Sequence, residues 1–102
     1  MAKYLFAYHG GEKPQTPEAG AALMARWQAW LTGLGDGVVN PGNPVGKSST
    51  VSASGVEDHG GANPLSGFSI VEADSLENAL AMAKTCPHID HGTIEVAEMI
   101  EM

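Results

Sequence analysis

The first segment of the chain alternates aromatic residues with other residues, a pattern typical of a β-strand. From Lys3 to His9 the sequence reads KYLFAYH, so three aromatic residues occupy every second position. Aromatic residues at a period of two predict a strand. Both of its faces are largely apolar. We therefore expect helices to cover one face of its sheet and another layer of structure to cover the second.

A helix is predicted from Pro17 to Leu34. Thr16 suits the capping position, proline is favoured in the first turn, and Glu18 complements the positive end of the helix dipole. Spacings of three and four then bring five apolar residues onto one face: Leu23, Trp27, Trp30, Leu31 and Leu34. The glycines that follow are expected to end the helix.

The middle of the chain gives weaker signals. Two valines begin the segment Val38–Gly46 and predict a short strand that runs into a proline-rich loop. Ser48–Ser54 is a second weak strand, interpreted as half of an edge hairpin. The glycine-rich segment Gly55–Pro64 is predicted to be a mobile loop.

The second half of the chain predicts strand, helix and strand. Ser66–Ala73 has the alternation of a strand, and Asp74 or Ser75 then caps a helix that Pro87 ends. Four residues are predicted to line the buried side of this helix: Leu76, Ala79, Leu80 and Ala83. A last strand is predicted over Thr93–Ile100.

This order of elements predicts an α+β fold. A chain of 102 residues is the size of one domain, so residues 1–102 are expected to form a single one. The order is typical of a ferredoxin-like antiparallel sheet with two helices on one face. The apolar second face predicts that two such sheets pack together in a homodimer.

The charge balance disfavours two function classes. Five basic residues against twelve acidic ones give a net charge of −7, which disfavours nucleic-acid and membrane-surface binding. A single cysteine, Cys86, excludes an internal disulfide and fits a reducing compartment. No apolar run approaches the roughly 18 residues of a spanning helix. We therefore expect a soluble, cytoplasmic protein.

Three segments of the sequence resemble a known family. LSGFSIVEADSLENALAMAKTCP followed by GTIEV, the opening KYLFAYHGG, and the helix that carries Trp27 and Trp30 resemble the YCII-related family, also called the DGPF domain family. The resemblance implies a dimeric α+β barrel with a pocket between the sheet and a helix. It also implies that any activity is lyase-like or dehydrochlorinase-like, and rests on a histidine in the first helix paired with an acid near the end of the first strand.

The chain departs from that family pattern at the dyad itself. The predicted helix Pro17–Leu34 contains no histidine, and His9 stands where the acid is expected. The DGPF motif is replaced by the residues from Asn63 to Phe68. The family's dyad is therefore not carried over to this chain.

His9 is the main candidate for chemistry. It ends an apolar strand before two glycines, and its imidazole titrates near neutral pH, which suits an acid/base or ligand-binding role. The alternative is a histidine bonded to the backbone at a strand end. A base would need an orienting carboxylate, for which Asp36, Asp58 and Glu72 are the candidates.

A second group of polar residues follows the second helix. Cys86, His88, Asp90 and His91 are residue types that bind zinc, but neighbouring loop residues rarely converge on one ion. We predict no metal and no cofactor, a small buried Cys86, and histidines in a solvated turn. A thiol at a helix C-terminus is also a weak nucleophile.

The leading hypothesis is a homodimer that binds a small, partly apolar molecule. Its predicted pocket lies between the sheet and the first helix and is lined by His9, Trp27 or Trp30, Asn40 and Phe68. The other hypothesis is a cofactor-free lyase, dehydrochlorinase or isomerase that uses His9 as acid or base. The missing helix histidine favours the binding protein, and His9 beside two glycines keeps the enzyme open.

Overall fold

The computed structural model describes residues 1–11 and 14–102 of the chain. Its strands are β1 (Ala2–Gly10), β2 (Val38–Asn40), β3 (Thr50–Ser52), β4 (Gly55–Glu57), β5 (Leu65–Ala73) and β6 (Gly92–Glu98). Its helices are α1 (Pro17–Leu34) and α2 (Leu76–Lys84). Two short 3-10 turns, Gly35–Gly37 and Pro87–Asp90, follow α1 and α2. The predicted α+β class is confirmed.

Four strands form one antiparallel sheet in the order β2-β5-β1-β6. The first strand of the chain therefore lies inside the sheet, between two strands from the second half. Its register pairs Phe6 with Ser69 of β5 and with Val96 of β6. This is the ferredoxin-like arrangement that the order of elements predicted.

The alternation along β1 separates two faces of this sheet. Tyr4, Phe6 and Tyr8 are buried and belong to the hydrophobic core, as do Val71 and Ala73 of β5. We call this the helix face, because the core also contains residues of both helices. The intervening positions of β1 and β5 are only half-buried, and we call their side of the sheet the open face.

Helix α1 begins and ends where the sequence predicted. The side chain of Thr16 accepts a hydrogen bond from the backbone N–H of Ala19, and Pro17 occupies the first turn. Of the predicted apolar face, Trp30 is buried, and Trp27, Leu31 and Leu34 pack against the core. The indole N–H of Trp30 donates to the carbonyl of Met82 at 3.1 Å, so α1 is tied to α2.

The structure of α2 shows which residue caps the helix and which residues of its predicted buried side are buried. Ser75, rather than Asp74, caps the helix, because its hydroxyl accepts from the backbone N–H of Asn78 at 3.2 Å. Only Ala79 and Ala83 of the predicted face are buried, whereas Leu76 and Leu80 are 50% and 39% exposed. The small residues allow α2 to lie close to the sheet, and the two leucines lie outside that contact.

The segment after β2 also differs from the prediction. Gly55–Glu57 is strand β4 rather than loop, and it pairs with β3 in a separate two-stranded sheet. We call the hairpin of β3 and β4 the arm. All six of its strand residues are exposed, including Val51 at 75% and Val56 at 70%. The arm is therefore not an edge of the main sheet.

Candidate functional site

The sheet separates the residues that the sequence assigned to one pocket. Trp27 and Trp30 pack on the helix face, against Tyr8 and Phe6 respectively. His9 and Phe68 occupy alternate positions, on the open face. A single pocket between sheet and first helix that contains all of them is therefore wrong, because the strands stand between the two groups.

His9 is held between two acceptors on the open face. Its Nδ1 lies 3.0 Å from the carbonyl oxygen of Asn63, and its Nε2 lies 3.1 Å from Oε1 of Glu95. Both contacts are hydrogen bonds at once only when each ring nitrogen carries a hydrogen. The imidazole thus joins three segments that are far apart in the sequence: β1, β6 and the loop before β5.

Glu95 is the carboxylate that the sequence analysis did not find. The β1–β6 register pairs His9 with Thr93 and Ala7 with Glu95, so Glu95 lies one row from His9 on the same face. None of the acids considered from the sequence contacts His9 within the described ranges. The side chain of His9 is 20% exposed and that of Glu95 is 73% exposed, so the carboxylate has room to turn away.

Phe68 lies on the open face next to His9, whereas Asn40 lies in the turn after β2. Phe68 pairs with Ala7 across β5 and β1, and the next row pairs Ile70 with Leu5. These four residues give an apolar surface beside the imidazole. Asn40 is exposed, and its Oδ1 accepts the backbone N–H of Gly42 at 2.8 Å, which closes the turn that leaves β2.

A polar cluster lies directly behind His9 on the helix face. The hydroxyl of Tyr8 donates to Oγ of Ser69 at 2.7 Å, and Ser69 donates to the carbonyl of Pro41 at the same distance. Cys86 is buried beside them. Burial raises the pKa of the Tyr8 phenol well above its usual range and raises the pKa of the Cys86 thiol to about 11.

Cys86 is thus the small buried residue that the sequence predicted, and its thiol stays protonated at neutral pH. Ser69 was missed. Its only signal in the sequence is a small polar residue at a position of β5 that faces the core.

His88 is not part of a solvated turn, which corrects the prediction for it. Its Nε2 lies 2.9 Å from the carbonyl oxygen of His9, and its ring lies 5.3 Å from the ring of Tyr8. A carbonyl only accepts, so Nε2 carries the hydrogen. Gly92 leaves the space for this ring, because a Cβ there would come within 2.6 Å of Nε2.

Among the grooves that the described residues form, a larger and a smaller one open on the surface away from His9. The larger, of about 590 Å³, is lined by residues that include Leu34, Asp36, Glu72, Asp74 and Met82. The smaller, of about 360 Å³, lies along the first half of α1 and includes Leu23, Arg26 and His91. Arg26 also donates to Asp90 at 2.6 Å and holds the pKa of that carboxyl below its usual range.

Among residues 1–11 and 14–102, no three His, Cys, Asp or Glu side chains are arranged to hold a metal ion. Over the same ranges, no helix is both long and apolar enough to cross a membrane.

Comparison with known proteins supports this fold. The structure of 5-chloro-2-hydroxyhydroquinone dehydrochlorinase from Burkholderia phenoliruptrix AC1100, in complex with 2,5-dihydroxybenzoquinone, is similar with a TM-score of 0.57 and 17% identity. The match covers 96% of this chain and 95% of that one. No protein of curated function matches. The YCII-related domain matches residues 4–102, and the chain therefore belongs to the YCII-related family.

Proposed function

We propose that this protein is a homodimer that binds a small, partly apolar molecule on the open face of its sheet, beside His9. The observation that carries the proposal is the His9 imidazole, which is fixed between Asn63 and Glu95 at the edge of an apolar surface. Fixed polar groups beside apolar area are typical of small-molecule sites. The family membership and the ligand complex of the similar dehydrochlorinase support a role of this kind.

The open face also supports the homodimer. Leu5, Ala7, Phe68 and Ile70 are only half-buried within one chain, and a second copy would cover them. Such a dimer would enclose His9 between two sheets and exclude water from the ligand. A single buried thiol supports a location in a reducing compartment, for which we propose the cytoplasm.

A catalytic role for His9 is the second candidate, and Glu95 favours it. A carboxylate at Nε2 orients an imidazole, as the partner of a general base does. However, Nδ1 faces the carbonyl of Asn63, so neither ring nitrogen is open to a substrate. With Glu95 as the orienting group, proton transfer would require Nδ1 to leave the Asn63 carbonyl. The binding role needs no such rearrangement and is therefore the leading proposal.

Titration with 2,5-dihydroxybenzoquinone, followed by calorimetry, tests the binding role. We expect the wild-type protein to bind and His9→Ala to lose about tenfold in affinity, because the variant removes the imidazole ring that the ligand packs against and that holds Asn63 and Glu95 in place. His59→Ala is the matched control, since His59 bonds within its own loop. Equal affinity of the wild type and the His9 variant would contradict the proposal.

Analytical ultracentrifugation tests the dimer. Ile70→Asp places a charge in the apolar surface of the open face and should give monomers. Leu80→Asp places the same charge on the exposed side of α2 and should leave the dimer intact. A wild-type protein that sediments as a monomer would refute the enclosed site.

Chloride release from 5-chloro-2-hydroxyhydroquinone tests the catalytic alternative. If His9 is the base, Glu95→Gln should lower kcat more than it changes the affinity for 2,5-dihydroxybenzoquinone. Binding without any turnover would leave the protein as a binder.

A further inference from the structure

We infer that the smaller groove, on the opposite side of the sheet from His9, binds a small organic carboxylate. The groove has a volume of about 360 Å³ and runs between α1 and the chain around His91. One part of its wall is apolar and comes from Ala19, Ala22 and Leu23. Another part is polar and contains Arg26 and His91. The apolar body of an organic carboxylate would lie on the first part, and its charged oxygens would lie on the second.

The described lining of the groove contains a cation and no acid, although the chain as a whole is acidic. The protein carries twelve acidic residues against five basic ones, yet no acid lines this groove among the residues that the structure describes. Arg26 and His91 are the charged or titratable side chains in its described lining. An anion that is repelled by most of the surface would therefore be attracted here.

Arg26 has donors left for a ligand. Within residues 1–11 and 14–102, only its Nη2 has an acceptor, which is Oδ2 of Asp90. A guanidinium has five N–H groups, and a carboxylate takes two of them in the favoured geometry. Asp90 is itself outside the groove lining, so it holds Arg26 from one side and competes with a ligand for it.

The apolar part of the wall selects the class of anion. Ala19, Ala22 and Leu23 give no donors from their side chains, so inorganic phosphate or sulfate would leave that surface uncovered. A carboxylate on a ring or a short hydrocarbon covers it and places its oxygens at Arg26. The groove thus fits benzoate-like molecules better than free inorganic anions.

Titration with benzoate, monitored by the amide chemical shifts of the protein, tests the inference. We expect benzoate to shift the amide signals of Ala22, Leu23 and His91, whereas benzyl alcohol, which has the same ring and no charge, should bind at least about tenfold more weakly. Inorganic phosphate at the same concentration should also bind more weakly than benzoate.

Two variants should move the affinity in opposite directions. Arg26→Gln removes the cation and should weaken benzoate binding about tenfold, and Asp90→Asn removes the competitor and should strengthen it. Both side chains are more than half exposed, so both variants should fold, and Lys84→Gln is the control for the loss of a surface cation. A purely structural ion pair would not give these opposite changes.

Three results would overturn the inference: equal binding of benzoate and benzyl alcohol, unchanged affinity in Arg26→Gln, or shifts confined to the open face around His9. The last result would place the anion at the site proposed above rather than in this groove. Because the two sites lie on opposite faces, the shift map separates the two proposals.

Discussion

The hydroxyl of Tyr8 donates a hydrogen bond to the hydroxyl of Ser69 at 2.7 Å, across the β1–β5 pair and inside the core. Ser69 is fully buried and passes a second hydrogen bond to the carbonyl of Pro41. Three segments of the chain therefore share one polar chain in an apolar interior. Each member depends on the others, because a buried polar group without a partner is costly.

Within this series of hydrogen bonds, we expect a substitution of Ser69 to destabilise the fold more than a substitution of Tyr8. Ser69→Ala leaves both the Tyr8 hydroxyl and the Pro41 carbonyl without a partner and should lower the free energy of unfolding by about 2–3 kcal/mol. Tyr8→Phe removes one hydrogen bond only and should cost about 1 kcal/mol. Urea unfolding of the two variants and the double variant measures this. A larger loss in Tyr8→Phe than in Ser69→Ala would contradict the prediction.

Gly42 is predicted to tolerate no side chain. Its φ is +74°, and a Cβ there would overlap the backbone carbonyl of Phe68. Gly42→Ala should therefore lower the free energy of unfolding by more than about 2 kcal/mol, from backbone strain and from displacement of the loop. Gly46→Ala is the control, because a Cβ at Gly46 meets no atom within 4 Å. Thermal unfolding that is equal for the two variants would refute this account.

Alkaline pH should destabilise the fold through Cys86. Burial raises the pKa of its thiol from 9.0 to about 11, so the folded chain keeps a proton that the unfolded chain releases. The contribution of the protonated thiol to the free energy of unfolding is complete below pH 9. It is lost as the pH rises towards 11, at about 1.4 kcal/mol per pH unit. The buried phenol of Tyr8 adds to the loss, because its pKa is also raised.

Cys86→Ala tests that assignment. The variant should show a shallower fall in the free energy of unfolding between pH 9 and 11, the range between the two pKa values of the thiol. An unchanged slope would assign the effect to other groups. Iodoacetamide should also leave Cys86 of the folded protein unmodified at pH 8, since the thiol is both buried and protonated.

Replacing the indole of Trp30 by a phenyl ring should lower the stability of the fold more than the same replacement at Trp27. The indole of Trp30 donates to the Met82 carbonyl and to the Thr85 hydroxyl, each at 3.1 Å. Trp30→Phe should therefore cost about 1 kcal/mol more than Trp27→Phe, because it removes the hydrogen bonds of the indole, although the Met82 carbonyl still accepts from Thr85. Thermal unfolding measures the difference, and a larger loss in the Trp27 variant would be inconsistent with the structure.

Local signals in the sequence predicted the elements with marked ends or strict alternation. Thr16 and Pro17 mark the start of α1, and the aromatic alternation marks β1. The three-residue strand β4 was missed because Val56 is the one residue in it that favours a strand, and it stands between a glycine and an acid in a glycine-rich segment. The prediction that Leu76 and Leu80 are buried was wrong, because hydrophobicity alone does not say which side of a short helix meets the sheet.

The candidate site was harder to predict because it depends on pairing between distant residues. Glu95 reaches His9 only through the β1–β6 register, which spans most of the chain. His88 binds the backbone of His9, and a backbone acceptor carries no residue-specific signal. The sequence therefore indicated His9 as a candidate but could not say which side chains surround it.

The exposed arm has a practical consequence. Its strands pair with each other and all of their residues are exposed, so the main sheet does not depend on their side chains. The turn between Ser52 and Gly55 is accordingly a suitable place to insert a fluorophore or an affinity label. A reporter at that position would leave both faces of the main sheet unmodified for ligand titrations.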